Sequence, residues 1–310
     1  MSTPAAMEFL LPGRLDDALD AMAARPGTLP VAGGTDVMVR LARGRERPPA
    51  AVDLTRIPAL ARWERSAGRV RLGAAVPYTR LADELAGLLP GLAAAARTVG
   101  SRQIRNRGTV GGALGTASAA GDVHPVLLAC DAEVELVSAA RGTRRVPVRE
   151  FFTGPGRTVR APDELIRAVH VPGAEGPQHF AKAGRRGALV VATCSFAVAL
   201  RPSRGRVGTG IGAAADTPRP ACEAERFVAA ELAERRLWQS RKPLPDSVLT
   251  RFGELAAAAA APAGDVRGSA AYRRHAVAVL ARRALAWAWD DHCAGRPAQT
   301  KKEMEEEPCA

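Results

Sequence analysis

Apolar positions along the chain switch between helical spacing and strict alternation, which predicts short helices and short strands in irregular succession. Leu15, Ala18, Leu19 and Met22 share one helical face. Asp16 and Asp17 occupy its first turn, where the helix dipole favours acids, and Pro26-Gly27 ends it. Residues 29–32 read as a strand running into Gly33-Gly34, residues 37–41 as a helix, and residues 51–54 as a strand after the Pro48-Pro49 break. Val70, Leu72, Ala74 and Val76 alternate against arginines, predicting a strand over 69–76. Helices are expected at 81–89 and 91–99, then a glycine-rich stretch over 108–121. Residues 125–130 lead into a second alternating strand, in which Ala132, Val134 and Leu136 oppose Glu133 and Glu135. Further strands are expected at 144–148 and 165–171.

Pro172-Gly173 through Gly176-Pro177 reads as a linker. Beyond it, residues 189–200 and 206–213 are strand candidates joined by the turn Pro202-Ser203-Arg204-Gly205. Residues 223–237 and 272–289 read as helices, the second with Val277, Leu280, Ala284 and Trp287 on one apolar face. Residues 295–310, with Lys301-Lys302 and a following acidic run, read as a flexible solvated tail. No internal repeat and no uniform strand–helix–strand succession is evident.

At 310 residues the chain is long enough for two or three modest cores. Apolar residues make up 47% and charged residues 25%, as in ordinary globular proteins, and the 4% aromatic share leaves Leu, Val and Ala to fill the interior. No apolar run reaches the roughly 18 residues of a membrane helix. The N-terminus lacks the basic and apolar segments of a signal peptide, so a cytoplasmic protein is expected. Only Lys182, Lys242, Lys301 and Lys302 are lysines, so arginine carries most of the +12 charge. Those arginines are spread rather than clustered or interleaved with stacking aromatics, which argues against nucleic-acid binding. A basic surface suits an anionic cofactor or an acidic partner chain better. The five cysteines are odd in number and far apart, without a C-x-x-C pair or zinc spacing. Cys130 and Cys194 lie in apolar runs, where a buried thiol is inert. No metal or iron–sulfur site of the chain's own is therefore expected.

Two glycine-rich stretches carry the candidate chemistry. A diphosphate needs hydrogen-bond donors, and backbone N–H groups serve where no Cβ blocks approach. Ala32-Gly33-Gly34-Thr35-Asp36 leaves a strand and enters a helix, with Thr35 and Asp36 as cap residues. Its bland alternative is a tight turn that binds nothing. The second stretch, Thr109-Val110-Gly111-Gly112-Ala113, is preceded by Arg105 and Arg107 and followed by Ser118, Gly121 and Asp122. Its glycine spacing matches neither the dinucleotide fingerprint nor a P-loop. A flexible surface loop is the alternative here, although Val110 and Leu114 argue for packing. Gly208-Thr209-Gly210-Ile211-Gly212 alternates like a strand and reads as structural.

Residues 99–112, VGSRQIRNRGTVGG, then Ser118-Ala119-Ala120-Gly121-Asp122, resemble the FAD-binding medium subunit of the molybdenum hydroxylases, the xanthine dehydrogenase and carbon monoxide dehydrogenase family. Ala32 to Asp36, Pro162 to Ile166, Phe180-Ala181-Lys182, Gly210-Ile211-Gly212, Pro218-Arg219 and Tyr272-Arg273-Arg274 add to the resemblance, which runs from Phe9 to Leu285. It implies an α+β protein: a two-subdomain FAD-binding fold of the vanillyl-alcohol-oxidase (PCMH) type, with a smaller C-terminal α+β domain. The implied divisions are 1–56, 57–175 and 176–294, with 295–310 as the tail. By the same resemblance, Ala32, Gly33, Gly34, Thr35, Asp36, Thr109, Val110, Gly111, Gly112 and Ala113 would wrap the diphosphate of non-covalent FAD. Ser118 would lie in the cofactor site and Asp122 would accept hydrogen bonds from the cofactor. Leu165 and Lys182 would lie near the flavin ring, with Leu189 against one ring face. Ala113 stands where the family often has Asn, removing a side-chain contact but leaving a backbone donor. Ala119 replaces a frequent proline, and Gly187-Ala188 replaces an acidic position.

The resemblance implies an electron-transfer subunit without catalytic side chains of its own. Partner chains would hold the other centres, 2Fe-2S clusters in an iron–sulfur small subunit and the molybdenum cofactor in a large subunit, in a dimer of heterotrimers. FAD would take electrons from the clusters and pass them to an acceptor such as NAD. A stand-alone flavin oxidase or reductase on the same fold is the alternative, and a basic RNA-binding module is a third. Of the histidines only His124, near Asp122, is a candidate for function, and a packed or solvated role is expected for it.

Overall fold

Parallel and antiparallel pairing separate along the chain in a computed structural model, which describes residues 7–44, 47–187 and 189–295. The expected tail lies, beyond Gly295, outside the described residues, as does Ala188. The N-terminal part comprises β1 (Glu8–Leu10), α1 (Leu15–Ala24), β2 (Leu29–Val31), α2 (Val37–Ala42) and β3 (Ala50–Asp53). Its strands form a parallel sheet in the order β1-β3-β2. Ala18, Leu19 and Met22 of α1 pack with Val52, Leu54 and Ile57, the face read from their spacing.

The middle part runs through β4 (Trp63–Ser66), β5 (Arg69–Gly73), α3 (Tyr78–Glu84), α4 (Pro90–Arg97), α5 (Arg102–Arg107), α6 (Val110–Thr116) and α7 (Val123–Ala129). It continues as β6 (Glu133–Ser138), β7 (Gly142–Pro147), α8 (Val148–Phe151), β8 (Phe152–Gly154), β9 (Arg157–Thr158) and β10 (Leu165–Pro172). Five of these strands make an antiparallel sheet in the order β4-β5-β10-β6-β7. Val70, Leu72, Val134, Leu136 and Val169 face Leu81, Leu92, Leu114 and Val126 of the helical layer. Charges occupy the other face, where Glu135 meets His170 at 2.6 Å and Arg71 at 3.5 Å. Val137 and Leu165 join the core of α1, tying the two sheets together.

Three expectations need correcting here. The strand expected over 69–76 ends at Gly73, because Ala75 N–H turns away to donate to Leu60 O at 2.9 Å and Ala74 O accepts from Gly111 N–H at 3.0 Å. Half of the glycine-rich stretch is helical: Thr109 caps α6 through Gly112 N–H, just after α5, which Ser101 caps through Ile104 N–H. The helix expected at 81–89 instead begins at Tyr78, following Pro77, and ends at Glu84.

The C-terminal part is a meander of β11 (Gln178–Ala183), β12 (Cys194–Arg201) and β13 (Arg206–Gly212), covered by α9 (Cys222–Glu234), α10 (Leu237–Ser240), α11 (Asp246–Ala259) and α12 (Ala270–Cys293). Phe196 and Phe252 meet edge-on at 6.0 Å in its core. The strand expected from residue 189 begins only at Cys194; Leu189 lies outside it with φ +49°. The glycines of β13 are structural, as read from the sequence. A Cβ at Gly208 would overlap Ala129 O, and one at Gly210 would overlap Pro125 O, so their absence lets α7 lie directly on the strand. No helix among the described residues is long and apolar enough to cross a membrane.

Candidate functional site

The turn after β2 and the segment before α6 meet. A Cβ on Gly33 would overlap the carbonyl of Arg107 and stand 3.0 Å from Gly108 Cα, so only a residue without a side chain lets these backbones touch. Gly34 takes φ +78°, a left-handed conformation that favours glycine. A cleft of about 1190 Å³, counting its open mouth, runs from this contact. Ala32, Gly33, Gly34, Thr35 and Asp36 line it from one side, and Thr109, Gly111, Gly112 and Ala113 from the other. Leu165 lines it as well.

The donors are unevenly distributed between the two stretches. Among the described residues, no protein acceptor takes the backbone N–H of Gly33, Gly34, Thr35 or Asp36. That leaves a run of free donors at the start of α2. On the other side, Gly111 N–H donates to Ala74 O at 3.0 Å, Gly112 N–H to Thr109 Oγ1 at 3.0 Å, and Ala113 N–H to Thr109 O at 3.0 Å. The backbone donor expected to remain at Ala113 is therefore committed to the helix. Gly111 is needed for packing instead, since a Cβ there would stand 2.6 Å from Ala74 O.

The remaining sequence candidates fall outside the cleft lining. Val110 is fully buried and points into the core. Ser118 is exposed, its hydroxyl accepting from Ala120 N–H at 3.3 Å. Asp122 is buried, and its Oδ2 accepts from Lys182 Nζ at 2.6 Å and Thr98 Oγ1 at 3.0 Å. Its Oδ1 is buried with no hydrogen-bond partner, the kind of orphaned acceptor that a bound ligand satisfies. Burial pushes the Asp122 carboxyl up, against the pull of the Lys182 ammonium. Lys182 also donates to Thr98 O at 2.9 Å and Val190 O at 3.1 Å, which commits all three of its protons. Leu189 is 56% exposed, in the segment that Lys182 holds through Val190.

Several lining residues carried no sequence signal. Tyr78, Arg40 and Arg160 line the cleft without one, whereas Val99 and Ile104 line it from within the 99–112 motif. Burial, then the Asp122 and Asp36 charges, raise the Tyr78 pKa and keep the phenol protonated. His124 is a packed residue: its ring is fully buried against Phe152, Nδ1 lies 3.0 Å from Ser118 O, and burial lowers its pKa to about 4. Among the described residues no cluster of His, Cys, Asp and Glu is placed to hold a metal ion.

Comparison with known proteins accords with this geometry. The family model described as the FAD binding domain in molybdopterin dehydrogenase matches residues 5–174, and the CO dehydrogenase flavoprotein C-terminal domain matches residues 178–288. The chain belongs to the FAD-binding medium-subunit family of the molybdenum hydroxylases. It is 30% identical over 285 residues to the nicotine 6-hydroxylase medium subunit of Paenarthrobacter nicotinovorans, covering 90% of this chain and 96% of that one. It is 31% identical to the xanthine dehydrogenase FAD-binding subunit of Escherichia coli O157:H7, over 87% of this chain and 92% of the relative. Reconstituted CO dehydrogenase from Oligotropha carboxidovorans superposes with a TM-score of 0.83 at 27% identity, covering 93% of this chain and 99% of that one. The flavoprotein subunit is thus part of an FAD-dependent oxidoreductase with the two-part FAD-binding fold and smaller C-terminal domain that the resemblance implied.

Proposed function

We propose that this subunit holds one FAD non-covalently in the cleft, with the diphosphate against residues 32–36 and 109–113. The observation that carries the reading is the run of free N–H groups from Gly33 to Asp36, set against the start of α6. Helix N-termini and nests of backbone N–H favour anions. The orphaned Oδ1 of Asp122 supports a polar group of the cofactor nearby. Lys182 neutralises the carboxylate and holds the 184–190 segment through Val190 O. When bound, FAD supplies transfer of electrons singly or in pairs, and the chain's residues orient the cofactor and exclude water from it.

The partners in this reading are an iron–sulfur small subunit with 2Fe-2S clusters and a molybdenum-binding large subunit, as a dimer of heterotrimers in the cytoplasm. Electrons reach FAD from the clusters and leave to an acceptor such as NAD. The division into 1–56, 57–175 and 176–294 follows the same reading. Purification of the chain from its native host tests it: an iron–sulfur chain and a molybdenum chain should co-purify. Substrate turnover by the isolated chain would instead favour a stand-alone flavin oxidase.

A further inference from the structure

Tyr78 begins α3 and lines the cleft, with only 5% of its surface exposed. Its backbone is stitched to the second glycine stretch: Tyr78 N–H donates to Gly108 O at 3.0 Å, and Pro77 bridges to Thr109. The ring edge lies against Gly108, where a Cβ would stand 3.1 Å from Tyr78 Cε2 and 3.2 Å from Cδ2. Gly108 is also the residue whose Cα a Cβ on Gly33 would meet at 3.0 Å. The Tyr78 ring and the turn that carries the free N–H donors are therefore neighbours of one backbone position. The hydroxyl sits one carbon beyond Cε2. Among the described residues no protein group makes a hydrogen bond with it.

A hydroxyl taken out of water without a partner costs free energy, and buried tyrosines usually find one. Phenylalanine would fill the same space without that cost. The hydroxyls of Thr109 and Thr116, which also line the cleft, are engaged with α6: Thr109 Oγ1 accepts from Gly112 N–H, and Thr116 Oγ1 donates to Gly112 O, each at 3.0 Å. The Tyr78 hydroxyl has no such role in holding the fold. Burial, with the Asp122 and Asp36 charges, keeps the proton on the phenol, so the group can donate. Donation is strongest to a charged oxygen, and the anion that suits the N–H run from Gly33 to Asp36 brings such oxygens to this end of the cleft.

Resting on the cofactor reading above, we propose that the Tyr78 hydroxyl donates a hydrogen bond to the diphosphate of the bound cofactor, adding a side-chain donor to the backbone donors of the Gly33–Asp36 turn. The test uses the full chain with Tyr78→Phe, which keeps the ring and removes the oxygen. Affinities for FAD and for ADP are read by titration, and unliganded stability by thermal unfolding. Tyr78→Phe should weaken FAD and ADP alike, by about tenfold or more, as loss of a hydrogen bond to a charged group does. The unliganded melting temperature should stay at the wild-type value or rise. Unchanged ADP affinity, with or without a loss for FAD, would overturn the diphosphate contact. A lower unliganded melting temperature would also overturn it, by giving the hydroxyl a partner inside the protein. Both results leave the cofactor reading intact, whereas wild-type chain that takes up neither FAD nor ADP would overturn that reading itself.

Discussion

Gly33 and Gly111 are the same residue type for different reasons, and substitution separates them. Alanine at Gly33 forces the turn after β2 away from Arg107 O at the cleft floor. FAD affinity should fall about tenfold or more with a modest loss of stability, given that overpacking costs typically about 1–3 kcal/mol. Alanine at Gly111 strikes buried Ala74, so the loss should appear first in thermal unfolding. An unchanged FAD titration for Gly33→Ala would remove the turn from the site. Asp122 and Lys182 form a buried pair, with side-chain exposures of 8% and 12%. Asp122→Ala strands the ammonium and should cost about 3–5 kcal/mol in denaturant unfolding, more than Asp122→Asn. His124 adds a pH dependence. Its folded pKa is about 4 against 6.5 when unfolded, so the unfolded chain binds more protons between those values. Stability should fall as pH drops through that window, by on the order of 3 kcal/mol if nothing else titrates. In His124→Phe, chemical denaturation between pH 7 and 5 should show a flatter slope.

At the scale of elements, strands with one buried face were legible because their pattern is local. Val134 and Leu136 on β6, and Val70 and Leu72 on β5, alternate as a half-buried sheet requires. What escaped was set by tertiary contact. Six-residue β11 has no clear alternation and is defined by its pairing with β12. The helix α11 ends in an alanine run that carries no face. Within the glycine-rich stretch over 108–121, Thr109 supplies the cap that starts a helix despite the glycines. Of the candidate site, the motif glycines were readable, whereas Tyr78 and Arg160 reach the cleft only through the fold. The docking of α7 on β13 gives an element-scale prediction. Gly210→Ala pushes Pro125 O off the strand and should lower the melting temperature by several degrees or more, taking about 1–3 kcal/mol of overpacking on a chain of this size. A melting temperature equal to wild type would show that this contact is not required.

For the whole molecule, two sheets build the cleft and the third supplies one partner of a buried ion pair. The parallel N-terminal sheet delivers the turn with free donors, and the five-stranded sheet delivers Leu165 and Ile166. The C-terminal meander places Lys182 on Asp122, outside the cleft lining. The net charge of +12 suits acidic partner surfaces, so association with such chains should weaken as salt rises. Cofactor occupancy bears on everything else. The most direct measurement is the visible spectrum and flavin content of the purified chain, before and after acid precipitation. One FAD per chain, released intact into the supernatant, is the predicted result. A chain that stays colourless and takes up no FAD on titration, or one whose flavin remains attached to the precipitate, would contradict the account.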